Sequence, residues 1–141
     1  MEAKERATKV INAMFADDEF SKWLGIERVS EGPGECRLKM TVRPEMCNGF
    51  KIAHGGISYS LADSALAFAS NSHGVKSVSI ETSISHVVAI NVGDTLYAET
   101  EEMSRSNKLA VYHIKVSNQN DESVALFKGT VYRTGKDWEF I

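Results

Sequence analysis

The sequence predicts an α+β fold in which an antiparallel sheet wraps one long central helix, with further helices at the N-terminus. Three observations predict it. A single helical stretch dense in Ala and Ser runs from Ile57 to Asn71. Four alternating runs follow Gly74, at about 77–88, 94–104, 108–118 and 122–133, joined by short polar turns. No helix-length insert separates those runs, so βαβ crossovers and a parallel sheet are disfavoured.

The elements read in order as follows. Residues 4–15 place Ala7, Val10, Ile11, Met14 and Phe15 at three-to-four spacing, the pattern of an amphipathic helix. Asp17-Asp18 starts a short second helix that packs Phe20, Trp23 and Leu24, and Gly25 ends it. From Glu35 the chain alternates, with Cys36, Leu38, Met40 and Val42 on one face and Glu35, Arg37, Lys39 and Thr41 on the other. Pro44 closes that strand. In the central helix Ile57, Leu61, Leu66 and Phe68 are the large apolar residues, and the small ones between them let a sheet approach closely. The later turns are Asn91-Val-Gly-Asp94, Ser104-Arg-Ser-Asn107 and Asn118-Gln-Asn-Asp121. The apolar tail Asp137-Trp-Glu-Phe-Ile141 is expected to dock on a neighbouring surface.

At 141 residues the chain is read as one domain, 1–141, large enough for a core without staples. Its 16 basic and 19 acidic residues give a net charge of −3 without a basic stripe, which argues against nucleic acid. No apolar run reaches the roughly 18 residues of a membrane span, and Met1-Glu-Ala-Lys-Glu-Arg has no signal-peptide core. A cytoplasmic protein without membrane contact is expected. Cys36 and Cys47 match no zinc or CxxC spacing and are read as reduced, structural thiols. His73, His86 and His113 fall on separate elements, so no metal site and no role is assigned to them. Glu99, Glu101 and Glu102 read as a solvated strand face.

The chemistry concentrates between Asn48 and Asn71. In Asn48-Gly-Phe-Lys-Ile-Ala-His54-Gly55-Gly56 two glycines follow a His where a loop becomes a helix. Backbone N–H groups there are unshielded and make a candidate oxyanion hole. Asp63 lies eight residues beyond Gly55, about 12 Å along one helix at 1.5 Å per residue. A base and an oxyanion donor must each lie about 3 Å from one reacting centre, so a single copy is inadequate. A two-fold dimer with antiparallel helices would set Asp63 of one copy beside Gly55 of the other, twice over.

The order strand, Asn-x5-His-Gly-Gly-x6-Asp loop, small-residue helix and four-stranded meander resembles the hotdog-fold thioesterases over nearly the whole chain. The run Ser60 to Ser72, with Ala125-Leu-Phe-Lys-Gly129 and Tyr132-Arg-Thr-Gly135, is similar to the PaaI group, named for phenylacetic acid degradation. The resemblance implies hydrolysis of an acyl-CoA, aryl-acetyl or of another compact, medium-sized acyl group, to free acid and CoA. It implies a homodimer or a homotetramer built as a dimer of dimers, with no metal or organic cofactor. Carried over by motif, Asp63 activates water or attacks the thioester carbonyl, and Gly55 donates its N–H to the oxyanion. Asn48 orients the water or the carboxylate, His54 sits beside the carbonyl, and Ser79 brings a hydroxyl near the water. CoA is expected near the Ser104 to Leu109 turn, with Arg105, Ser106, Asn107 and Lys108 as contacts.

Two other functions compete. A hotdog-fold 3-hydroxyacyl thioester dehydratase would also use a loop His and a helix carboxylate of the partner chain, but there the carboxylate is usually Glu in a proline-richer loop. A non-catalytic acyl-CoA binding module would normally carry an effector domain, for which 141 residues leave no space.

Overall fold

Helix α3 (Gly55–Asn71) packs against five strands of a single six-stranded sheet, and this contact organises the computed structural model, which describes residues 1–139. Before it come α1 (Ala3–Ala16), α2 (Glu19–Trp23), β1 (Glu27–Gly32), β2 (Glu35–Thr41) and a 3-10 turn at Pro44–Met46. After it come β3 (Val75–His86), β4 (Thr95–Arg105), β5 (Leu109–Ser117) and β6 (Ser123–Asp137). Every pairing is antiparallel, in the order β1-β2-β4-β5-β6-β3. The architecture is the expected one: a sheet wrapped on a long helix, with helices at the N-terminus.

The alternation read from Glu35 holds. Cys36, Leu38, Met40 and Val42 are all buried; β2 carries the first three under α3, and Val42 follows its end. Burial pushes the Cys36 thiol far above its ordinary range, and both cysteines are free. On α1, Ala7, Val10 and Ile11 are buried, while Phe15 meets Phe68 of α3 edge to face at 6.1 Å. α2 is capped by Asp18, whose carboxylate accepts from Ser21 N–H, and Gly25 follows it at φ +78°.

Four expectations need correction. Of the three apolar residues assigned to α2 only Leu24, its C-cap, is buried: Phe20 and Trp23 stack on each other at the surface, because five residues offer the core only one face, which Ser21 takes. β1 was not foreseen, since it is an outer strand with three of six residues exposed and only Gly32 buried, and therefore no apolar alternation. The late strands are not a four-stranded meander. β4, β5 and β6 form one, but β3 pairs with β6, so the Asn91–Asp94 turn belongs to a crossover, not a hairpin. Finally, α3 begins at Gly55, two residues before the predicted start. In the tail, Trp138 N–H donates to Gly74 O and its ring N–H to Asn71 Oδ1, as docking requires. Phe140 and Ile141 lie outside the described residues.

How closely the sheet meets α3 is set by what each side omits. Gly129 of β6 faces Leu66, and a Cβ added there would fall 2.5 Å from Leu66 Cδ2. Gly129→Ala is therefore expected to cost about 1–3 kcal/mol through overpacking. In a Leu66→Ala background the added cost should largely disappear. Urea denaturation of the four proteins measures both, and a neutral Gly129→Ala would contradict the close contact.

Candidate active site

Residues 47–53 fold back on themselves, because Cys47 bridges Ala53 and Asn48 N–H donates to Ile52 O. Inside this turn the Asn48 side-chain carbonyl accepts two backbone N–H groups, from Phe50 at 2.9 Å and Ile52 at 3.2 Å. Lys51 sits at φ +63° at its tip, beside the fully displayed Phe50 ring. Asn48 is therefore a brace for the loop, and its amide NH2 has no acceptor among the described residues. The loop is anchored in turn by Ala53 N–H to Ile90 O and His54 N–H to Met46 O.

His54 is the N-cap of α3 with backbone φ −58° and ψ 143°, and its exposed side chain makes no capping bond. Gly55 and Gly56 follow as the first helical residues. Their N–H groups have no partner among the described residues, as expected for the first turn of a helix. Neither glycine has a positive φ, so turn geometry does not explain them. Space does, at Gly55: a Cβ there would lie 2.9 Å from Nε2 of His86. His86 ends β3, and its Nδ1 lies 3.3 Å from Oγ of the fully buried Ser58. The sequence reading left His86 without a role. A signal was present, because Thr82, Ile84 and His86 share one strand face and the first two are half-buried against α3.

Asp63 occupies the side of α3 that the sheet leaves uncovered, in a stripe with Gly56, Ser60 and Ala67. Its carboxylate is half-buried and accepts no hydrogen bond among the described residues, and burial raises its pKa above the usual carboxylate value. β3 runs back along the helix. Asn71 bonds Ser77, and Tyr59 bonds Thr82, so the β3 residues level with Asp63 are Ser79 to Glu81. Ser79 pairs with the buried Val131 and so faces the helix side, with a bulge at Ile80 restoring Thr82 to that side.

The Arg105–Lys108 turn lies elsewhere. Its end of β4 is ten residues, about 33 Å, from the Thr95 end that adjoins the loop. It is held near the C-terminus of α3 by a cluster around Glu102; Glu99 and Glu101 are exposed, as a solvated face requires, and only Glu102 departs from that reading. Glu102 accepts from Tyr112 OH at 2.7 Å, lies 2.6 Å from His73 Nε2, and pairs with Arg105 at 3.8 Å. Burial pulls the Glu102 carboxyl upward, but the Tyr112 and His73 hydrogen bonds and the His73 and Arg105 charges outweigh it and hold it below the usual range. Ser106 N–H and Oγ both hold Leu109 O, Arg133 donates to Ser106 O, and Asn107 and Lys108 are exposed.

Two concavities bear on the site. A cleft of about 340 Å³ runs beside Gly55, lined by Ile52, Ala53, Ser58, His86 and residues 87–90 of the crossover. A larger one, about 650 Å³, is an open groove on the outer sheet face between Glu99, Glu101, His113, Lys115 and Lys128. The smaller one matters for chemistry, because it touches the N-terminus of α3 with its free N–H groups. Within one copy, then, the structure gathers Asn48, His54 and Gly55 at one end of α3, Asp63 and Ser79 at its middle, and the Arg105–Lys108 turn at the other end.

A family model described as the thioesterase superfamily matches residues 50–125, more than half of the chain. This chain belongs to the thioesterase superfamily. The acyl-coenzyme A thioesterase PaaI of Escherichia coli K12 is 37% identical over 130 residues, 92% of this chain and 93% of that protein. The solved structure of the E. coli PaaI protein from the phenylacetic acid degradation operon superposes with a TM-score of 0.94, covering 96% of this chain and 99% of that one at 35% identity. A Streptococcus mutans protein solved bound to acetyl CoA matches with a TM-score of 0.77 at 27% identity, over 80% of this chain and 91% of that one. The expected hotdog fold of PaaI type and the expected class, a thioester hydrolase, both stand. No helix among the described residues is long and apolar enough to cross a membrane.

The two parts of Asn48 can be separated in this superfamily member. Asn48→Asp keeps an oxygen for the Phe50 and Ile52 N–H groups but removes the free amide donor, whereas Asn48→Ala removes both. The expectation is that Asn48→Asp keeps wild-type thermal stability and loses most turnover, while Asn48→Ala loses both, by about 1 kcal/mol or more in stability for the two orphaned N–H groups. Equal stability of all three proteins would contradict the bracing role.

Proposed function

We propose that this chain hydrolyses an acyl-CoA thioester to a free acid and CoA, favouring aryl-acetyl or other compact, medium-sized acyl groups, at sites shared by two copies. The thioester carbonyl lies against the Gly55 N–H at the positive end of α3. Asp63 of the second copy takes a proton from water as it attacks, or attacks the carbonyl itself. The tetrahedral oxyanion then collapses and the C–S bond breaks, releasing the CoA thiolate. In the direct-attack route, water hydrolyses the resulting acyl anhydride on Asp63 in a second step.

The observation that carries this reading is Asp63 itself: a half-buried carboxylate without a hydrogen-bond partner, on the uncovered stripe of the helix whose N-terminus supplies the donors. Burying such a charge is unfavourable unless something is gained by it. Because α3 begins at Gly55, the eight residues to Asp63 are all helical, and the separation of about 12 Å holds within one copy. A second copy resolves it. β3 pairs on one edge only, with Val78 and Ile80 more than half exposed beside the open edge, and an open strand edge is a template for pairing. Joining two β3 edges about a two-fold axis sets the α3 helices antiparallel, as a homodimer or as half of a homotetramer. The same operation carries the second copy's Arg105–Lys108 turn toward the Gly55 end, where it can meet CoA phosphates. The unpartnered carboxylate of Asp63, the free amide NH2 of Asn48 and the helix-side position of Ser79 support the roles of base or nucleophile, of orienting the water or the carboxylate, and of hydroxyl near the water.

The test is thiol release from a panel of acyl-CoAs, with Asp63→Asn alongside. Asp63→Asn is expected to lose at least about 10²-fold in turnover, the scale of a positioned acid–base group. Thiol release from no acyl-CoA, or near-normal turnover by a folded Asp63→Asn protein, would overturn the proposal. Stability should move the opposite way. The folded-state pKa of Asp63 is raised, so its contribution to stability is fully present below the ordinary carboxylate pKa and is lost as pH rises through the raised value. Asp63→Asn should therefore melt higher than wild type at neutral pH, and the difference should shrink as pH falls into the carboxylate range.

A further inference from the structure

We infer that His86 is a positioning residue for the oxyanion donor, fixing the first turn of α3 by occupying the space that a side chain at residue 55 would need. The inference rests on the reading of Gly55 N–H as that donor. Three contacts close a ring around Gly55. Ser58 Oγ donates to Gly55 O at 3.2 Å, His86 Nδ1 meets the same Ser58 Oγ at 3.3 Å, and Nε2 of the imidazole abuts Gly55, 2.9 Å from where its Cβ would be. Ser58 has one hydroxyl hydrogen, and it goes to Gly55 O. Its oxygen is then left to accept from the Nδ1 side of His86, while the Nε2 tip faces Gly55.

The ring is carried by rigid parts. His86 pairs with the fully buried Ala125 in the β3–β6 ladder, and the next residue, Val87, continues to Val124 O. Ser58 is fully buried, and Cε1 and Cδ2 of the imidazole lie 3.3 and 3.5 Å from the same Cβ position, so the imidazole approaches end-on. Helix first turns fray because their N–H groups have no internal partner. An oxyanion donor must nonetheless stay within 2.7–3.1 Å of its target, as a general requirement of such sites. The sheet edge thus holds the turn through His86, and the helix accepts that contact only because residue 55 is glycine. Gly55 has ordinary helical φ, where Ala would otherwise be the better helix former.

The experiment compares wild type, His86→Ala, His86→Asn, Gly55→Ala and Gly55→Ala/His86→Ala as full-length chains. His86→Asn keeps a donor near Ser58 but lacks the Nε2 tip, and guards against loss of folding in His86→Ala. Both His86 variants are expected to shift the Gly55 amide in 1H–15N spectra and to lower kcat about 10- to 10²-fold with KM changed by less than about twofold, on the acyl-CoA that wild type cleaves best. Gly55→Ala should lose stability and turnover in the His86 background, and the double variant should regain stability and, in turnover, rise to the level of His86→Ala. An unmoved Gly55 amide, or a double variant no better than Gly55→Ala, would overturn the inference. If wild type cleaves no acyl-CoA, the proposed function fails, and the amide shift and the stability rescue still decide the role of His86.

Discussion

The close seat of α3 in the sheet is the contact on which the rest depends. Five strands touch this one helix, and small residues make that possible: Ala62, Ala65 and Ala69 on its buried side, and Gly129 opposite Leu66. Once the helix is seated, its N-terminus falls where β3 ends and the 87–94 crossover passes, which builds the cleft beside Gly55. The helix also has a side that the sheet cannot reach. Asp63 lies there, and its fate depends on what covers that side.

Two opposing requirements meet at that stripe. A carboxylate that is to act as base or nucleophile gains from leaving water, and the fold charges for this through the raised pKa of Asp63. A stable helix, by contrast, prefers charges in solvent or near its ends. The N-terminal residues show the same tension. Gly55 and Gly56 are poor helix formers, yet a side chain at residue 55 would strike His86. Both features disagree with local stability.

What could be read from the sequence follows the same physics. The Cys36 to Val42 alternation was legible because one face of β2 is buried under α3 and the other is not. The loop glycines and Asp63 were legible because their spacing is fixed along one helix. β1 was not, since an outer strand with solvent on most of its residues leaves no pattern. The partner of β3 was not, because pairing with β6 in place of β4 is a long-range choice that local turns do not encode. Exposed Val78 and Ile80 further blur its alternation around the Ile80 bulge. His86 was missed for the same reason: its neighbour Gly55 lies thirty-one positions earlier in the chain. Glu102 looked like its neighbours Glu99 and Glu101, and only the fold places His73 and Tyr112 beside it.

The central claim is that donor and carboxylate of one site come from different copies. Its most direct test mixes Asp63→Asn chains with chains disabled at the loop by a bulky replacement of Gly55, and allows subunits to exchange. Each mixed pair then holds one site with an intact loop from one chain and an intact Asp63 from the other. Half of the pairs in a statistical mixture are mixed, with one working site of two, so about one quarter of wild-type activity should return under closed two-fold symmetry. A mixture shown to have exchanged, yet as inactive as its parents, would contradict the claim and place both groups within one chain.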